Sequence, residues 1–201
     1  GFAAWAARPQ IERHAVARRF ADLAKARREE IATLLSRETG KPFWETLTKA
    51  DTVAGKIEVS IRAQAERAGE RATEIAGGQA RLAHRPHGVL AVIGPFNFPM
   101  HLPNGHIAPA LIAGNAVVFK PSEKTPASGL LLVALWREAG VPAEALQAVI
   151  GGPDVAKALT AHPEVDGVLF TGGVAAGRAI HRALADQPQK ILALELGGNN
   201  P

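Results

Sequence analysis

The 201-residue chain contains no cysteine, which excludes a disulfide, a zinc–thiolate site and a cysteine nucleophile within this stretch. No apolar run approaches the roughly 20 residues needed to cross a bilayer. The first residues, Gly1 to Arg8, have neither the basic start nor the following apolar segment of a signal peptide. A cytoplasmic protein with no membrane partner is therefore expected. Aromatic residues make up only 5%, and no stacking set or reading module accompanies the formal net charge of +4, so nucleic acid is not an expected partner. The basic residues gather in the first third, at Arg13, Arg18, Arg19, Lys25, Arg27 and Arg28. They are interleaved with Glu12, Asp22, Glu29 and Glu30, as on the solvated face of a helix. Neither His84 and His87 nor His101 and His106 have metal-ligand spacing on a helix face; no metal is expected, and these histidines read as structural or surface residues.

What is present suits a globular protein with a substantial core: 47% hydrophobic and 21% charged residues. The chain opens on Gly1 rather than Met and ends at Asn200-Pro201 directly after a strand-like run, which leads us to expect a piece of a longer protein. From Gln10 to about Arg37, Ile11, Ala15, Phe20, Leu23, Ile31, Leu34 and Leu35 recur at helical spacing until Gly40-Lys41-Pro42 ends the run. A second amphipathic stretch carries Phe43, Trp44, Leu47, Val53, Ile57 and Ile61. These two helices are expected to form an outer layer, residues 1–78.

Past Gly77-Gly78 the period changes. Short apolar runs at Val89 to Ile93, Ala116 to Phe119, Leu146 to Ile150, Val168 to Phe170 and Ile191 to Leu194 alternate with helix candidates. The helices are expected at about His106 to Ala113, Ala127 to Ala139, Asp154 to Ala161 and Ala175 to Ala185. Continuous apolar strands separated by helices of this length predict an α/β fold, with a parallel sheet over residues 79–201 covered on both faces. Such sheets bind ligands at the carboxyl ends of their strands, so the strand-to-helix turns are where chemistry is to be sought.

The first turn reads Gly94-Pro95-Phe96-Asn97-Phe98-Pro99. Its prolines stiffen an asparagine amide at a strand end, where it can serve a developing oxyanion or merely close an Asx turn. In Phe119-Lys120-Pro121-Ser122-Glu123 a lysine and a glutamate three apart suit either a grip on two ribose hydroxyls or a surface ion pair. The third turn, Phe170-Thr171-Gly172-Gly173-Val174-Ala175-Ala176-Gly177, offers glycine-rich backbone at a helix start, where amides approach phosphate. Arg178 and Ala179 stand where a P-loop needs Lys and Ser or Thr, so an ATPase reading fails, and the Gly-x-Gly-x-x-Gly fingerprint is not met either. The fourth, Leu194-Glu195-Leu196-Gly197-Gly198-Asn199-Asn200-Pro201, puts one carboxylate at the end of an apolar strand. Burial there is expected to raise its pKa toward that of a useful general base.

Taken in order, Pro95-Phe96-Asn97-Phe98-Pro99, Lys120-Pro121-Ser122-Glu123, Phe170-Thr171-Gly172 and Glu195-Leu196-Gly197-Gly198 resemble the aldehyde dehydrogenase superfamily over the whole chain. Within it, several stretches resemble the N-succinylglutamate 5-semialdehyde dehydrogenase branch. These are Gly40-Lys41-Pro42 with Trp44-Glu45, His101 to His106, Pro109 to Asn115, and Lys190 to Glu195 with Asn199-Asn200-Pro201. The resemblance implies a Rossmann-like NAD-binding domain preceded by helices, a small-molecule aldehyde substrate, NAD as cofactor, and a homo-oligomer when full length. It implies Asn97 and Glu195 as the catalytic residues of this stretch, holding the oxyanion and activating the hydrolytic water. The cofactor residues it implies are Ile93, Pro95, Phe96, Lys120, Glu123, Gly172, Gly173, Val174, Ala175, Ala176 and Gly177. A carboxylate at Glu123 repels a 2'-phosphate, favouring NAD over NADP. At Gly173 the chain departs from relatives, which usually carry a serine whose hydroxyl helps hold phosphate. The family's nucleophilic cysteine is expected beyond Pro201, so this stretch alone is expected to be inactive. A short-chain dehydrogenase is excluded, because that family relies on a Tyr-x-x-x-Lys pair and the chain has no tyrosine.

Overall fold

The computed structural model describes residues 1–198. Its centre is a five-stranded sheet made of β3 (Val89–Ile93), β4 (Ala116–Lys120), β5 (Leu146–Ala148), β6 (Gly167–Gly172) and β7 (Ile191–Leu196), in the order β5-β4-β3-β6-β7. Every pairing is parallel, as the helical crossovers require. The chain leaves β3 toward one edge and returns past it to build the other, so the order reverses beside β3. That reversal opens a crevice at the strands' carboxyl ends.

Strand alternation divides the core. Leu90 and Val92 of β3 point into the larger cluster, and Ala91 and Ile93 into a smaller one. The smaller cluster is covered by α7 (Pro153–Ala161) and α8 (Val174–Leu184). On the opposite face lie α5 (His101–Ala113) and α6 (Pro126–Glu138), and behind them α2 (Gln10–Ala26), α3 (Arg28–Thr39) and α4 (Phe43–Ala68). The N-terminal helices are thus a further layer of the same core rather than a detachable shell: Phe20, Ile31 and Ile57 are fully buried in one cluster with Leu90 and Phe119. Phe20 stacks on Trp136 at 4.0 Å between ring centroids. The Trp136 Nε1–H donates to Asn104 Oδ1 (2.9 Å), whose Nδ2 donates to the Val53 carbonyl (3.0 Å). This buried relay ties α6, α5 and α4 together with each polar atom satisfied.

Two further pairings seat the sheet. Asn115 Oδ1 accepts the His87 and Gly88 N–H groups (2.7 and 3.1 Å), and Asp166 Oδ2 accepts that of Val89 (2.7 Å). Both carboxylate oxygens of Glu38 cap the start of α6, accepting from the Ala127 and Ser128 amides at 2.8 and 2.7 Å. A negative group there answers the free N–H groups and the dipole of the helix.

The helices and the stretch before β3 differ in detail from the sequence expectation. The single helix expected over 10–37 is two, broken at Arg27 (φ −100°, ψ 23°). The apolar spacing runs through that break unchanged, so periodicity hides it; the Arg27 guanidinium holds the bend through Glu30 and Glu138. A short helix, α1 (Phe2–Ala6), precedes them, anchored by the Trp5 Nε1–H donating to the Leu111 carbonyl at 3.0 Å. The stretch before residue 89 contains an antiparallel hairpin, β1 (Arg71–Ile75) and β2 (Gly78–Leu82), turned at Ala76-Gly77 with Gly77 at φ +84°. Gly78, the last residue of the expected N-terminal layer, is the first of β2. Finally, α5 begins at His101 rather than His106, because Pro103 falls in the first helical turn, where its missing N–H has no partner to lose. Among the described residues no helix is long and apolar enough to cross a membrane.

Candidate functional site

The parallel register brings the sequence-predicted turns to one rim. Ile93 lies opposite Lys120 on one side and Phe170 on the other, and Thr171 lies opposite Glu195. The segments that follow the strands (Gly94 to Asn97, Pro121 to Glu123, Gly172-Gly173 and Gly197) therefore emerge side by side. Between them and α7 and α8 runs a groove of about 890 Å³.

Of the predicted cofactor residues, Ile93, Pro95, Phe96, Lys120 and Glu123 line this groove, as do Gly172, Gly173 and Ala176. So do both predicted catalytic residues, Asn97 and Glu195. Val174, Ala175 and Gly177 do not. Val174 is exposed, and Gly177 packs against β7 so closely that a Cβ there would overlap the Leu196 side chain. The missing side chain permits that close helix–strand approach. The Asn199-Asn200-Pro201 part of the fourth turn lies outside the described residues.

At one end of the groove Lys120 is only 4% exposed, its Nζ donating to the Pro121 carbonyl (2.9 Å) and lying 3.5 Å from Glu123 Oε2. The Glu123 carboxyl is half exposed and held below the usual carboxylate range, first by its own backbone N–H and then by the Lys120 ammonium. In the middle, α8 starts at Gly173 with no side-chain cap, and a Cβ at Gly173 would meet nothing within 4 Å. The first amides of α8 thus meet no side-chain cap, the arrangement found at helix starts that bind anions. The second wall, Ala156 and Thr160 of α7 facing Ile180 and Ala183 of α8, was not singled out in the sequence. Small residues at helical spacing read there as packing, and only the topology turns that seam into a slot.

At the other end stands Glu195, 56% exposed. The burial expected of it is absent, because β7 is the outermost strand of the described sheet and its residues grade from half-buried to exposed toward Leu196. His106, read from sequence as structural, comes from α5 to lie 3.8 Å from Glu195 Oε1 and 3.2 Å from Thr171 Oγ1. Its side chain is 11% exposed, and burial pushes its pKa down; the Glu195 carboxylate opposes that shift and the Lys56 ammonium adds to it. A neutral imidazole thus sits beside the carboxylate. Only the one-turn position of His106 past Leu102, which also lines the groove, hints at this placement in the sequence.

The chain matches the model of the aldehyde dehydrogenase family over residues 1–201. It is 70% identical over 200 residues to N-succinylglutamate 5-semialdehyde dehydrogenase 1 of Caulobacter vibrioides, a match spanning 100% of this chain and 42% of that relative's length. Among solved structures it superposes on the bifunctional proline utilization A protein with TM-score 0.94 and 39% identity, covering 98% of this chain and 21% of that one. On an aldehyde dehydrogenase from Brucella melitensis biovar abortus 2308 the TM-score is 0.92 at 33% identity, covering 100% of this chain and 42% of that one. With the sheet order and the rim described above, these matches leave one assignment, that the chain belongs to the aldehyde dehydrogenase family.

Proposed function

We propose that the full-length protein oxidises N-succinyl-L-glutamate 5-semialdehyde to N-succinyl-L-glutamate with NAD, a step of arginine breakdown by succinyl transfer. The observation that carries the substrate is the identity of 70% to a relative of that name over all but one residue of this chain. The family itself implies a nicotinamide cofactor, and the groove fits one. Its volume of about 890 Å³ lies in the range of about 300–1,000 Å³ that encloses small-molecule ligands. It also presents an acid–base pair at one end, an uncapped helix start in the middle and a carboxylate at the other end.

In this reading Lys120 and Glu123 grip the adenosine ribose, and the Glu123 carboxylate disfavours a 2'-phosphate. The backbone at Gly172, Gly173 and the first turn of α8, from Val174 to Gly177, faces the diphosphate, and Ile93, Pro95 and Phe96 form the floor at β3. A nicotinamide bound in the groove would supply the acceptor for the hydride that leaves the substrate carbon. Asn97 offers its amide to the oxyanion that forms when a cysteine thiolate, placed by the family beyond Pro201, adds to the aldehyde. Glu195 then takes a proton from the water that hydrolyses the thioester, with the neutral His106 beside it.

Steady-state turnover of the full-length protein with N-succinylglutamate 5-semialdehyde, glutamate 5-semialdehyde and succinate semialdehyde tests the reading. A kcat/KM for the succinylated compound at least about tenfold above the others, or ~1.4 kcal/mol, is the expected outcome. Equal values, or a preference for another aldehyde, contradict the substrate assignment.

A further inference from the structure

The Pro95–Pro99 turn has two sides. Asn97 lines the dinucleotide groove on one of them. On the other, Asn97, Phe98 and His101 share a small cleft with Lys41 and Lys49. If the groove holds the cofactor, an aldehyde has to reach Asn97 from this second side, which is walled by α4 and the segment leading into it.

That wall is cationic. Lys41 Nζ lies 3.8 Å from the centroid of the Phe98 ring, and Lys49 Nζ lies 5.1 Å from it. Lys56, two turns further along α4, reaches α5 at Gly105, where a Cβ would stand 3.7 Å from its Nζ. The Lys56 ammonium is also close enough to help lower the pKa of His101, after burial itself. All three lysines are half-buried rather than extended into solvent. Lys41 has Glu45 at 3.4 Å, but among the described residues Lys49 and Lys56 have no carboxylate within salt-bridge distance. Two other acids of α4 are engaged elsewhere, Asp51 by Arg28 at 2.5 Å and Glu58 by Arg18 at 2.9 Å. The imidazole Nδ1 of His101, in the same cluster, is buried with no hydrogen-bond partner. The Phe98 face attracts the Lys41 and Lys49 ammonium groups, but it neutralises neither charge, and of the three lysines only Lys41 has a carboxylate beside it among the described residues.

Resting on the aldehyde dehydrogenase reading, we propose that Lys49 and Lys56, with Lys41 at the outer end, are the carboxylate-binding wall of the aldehyde channel. They select a semialdehyde that carries carboxylates remote from its aldehyde carbon. Seven residues apart on a helix, Lys49 and Lys56 stand about 10 Å apart along its axis, which suits a dianion whose charges are separated by an extended chain. Gly105 keeps the space before Lys56 free of any side chain.

The test uses full-length Lys49→Met, Lys56→Met and the double variant, with Lys49→Arg and Lys56→Arg as charge-preserving partners. The readout is the ratio of kcat/KM for N-succinylglutamate 5-semialdehyde to that for hexanal, a neutral aldehyde. Each Met variant should lower this ratio about tenfold, chiefly through KM, as loss of a charge-assisted contact does, and the Arg variants should recover most of it. A ratio that stays at the wild-type value in the double variant, or equal losses on both aldehydes, overturns the proposal. Calorimetric binding of N-succinylglutamate separates the two readings: if the wild type oxidises no aldehyde, the enzyme assignment fails. The lysine wall then stands or falls on whether the double variant weakens that binding about tenfold or leaves it as it was.

Discussion

Nε2 of His106 lies 3.8 Å from Oε1 of Glu195 and 3.2 Å from Oγ1 of Thr171, so α5 reaches the carboxyl ends of β6 and β7 at one point. Burial keeps this imidazole below the ordinary value of 6.5 despite the neighbouring carboxylate. The folded protein therefore holds His106 neutral where the unfolded chain protonates it. As pH falls below about 6.5 the unfolded form gains a proton that the folded form does not, and stability drops until the lower, folded pKa has been passed. His101, lowered by burial in the same way, adds to the slope. The thermal midpoint of the full-length protein should thus fall between about pH 7.5 and about pH 5.5 by less in His106→Gln than in wild type. An equal or steeper fall in the variant would remove the buried, neutral state.

The ribose role proposed for the Lys120–Glu123 pair sets a cofactor prediction. Glu123→Ala removes the charge that repels a 2'-phosphate while leaving Lys120 to attract one. The ratio of kcat/KM with NAD to that with NADP should fall by roughly tenfold or more. Unchanged selectivity would count against the ribose role and return the pair to a surface contact.

The relay from Trp136 through Asn104 to the Val53 carbonyl sets a stability prediction. Trp136→Phe keeps an aromatic ring against Phe20 but leaves the buried Asn104 Oδ1 without a donor. That costs about 1–3 kcal/mol for the unsatisfied acceptor, with a further cavity term for the smaller ring. Denaturant midpoints measured on the full-length protein would show it. A variant as stable as wild type would mean that the relay contributes nothing net.

Much of the sheet was legible, and the reasons are local. Each core strand is a short apolar run closed by Gly or Pro, so Val89–Ile93 and the start of β4 at Ala116 were placed to the residue. β5 was expected to run to Ile150 but ends at Ala148. The hairpin from Arg71 to Leu82 escaped because both strands are exposed along their whole length, which leaves no buried face to create an alternating pattern. The bend at Arg27 was invisible for the opposite reason, since the same apolar stripe continues on both sides of it.

In the site, residues that emerge from strand ends were readable because proline and glycine mark those turns. What the sequence lacked was lateral information. Nothing local tells that β7 is the outermost strand of the described sheet, with Glu195 exposed there, that His106 crosses to it from α5, or that α7 and α8 part to form the second wall of the groove. Gly177 shows the converse: a glycine in a phosphate-like pattern whose place is dictated by the Leu196 side chain.

In the proposed reaction, successive crossover loops bring an amide, a ribose clamp, a helix start and an acid to one rim, and Glu195 acts in the second half, after hydride transfer. Rapid-mixing measurement of NADH formation by full-length Glu195→Gln tests it most directly. A fast burst of roughly one NADH per site should be followed by a steady state slowed by about 100-fold or more, because hydride transfer survives and thioester hydrolysis does not. A steady-state rate equal to wild type, or loss of the burst itself, would contradict it.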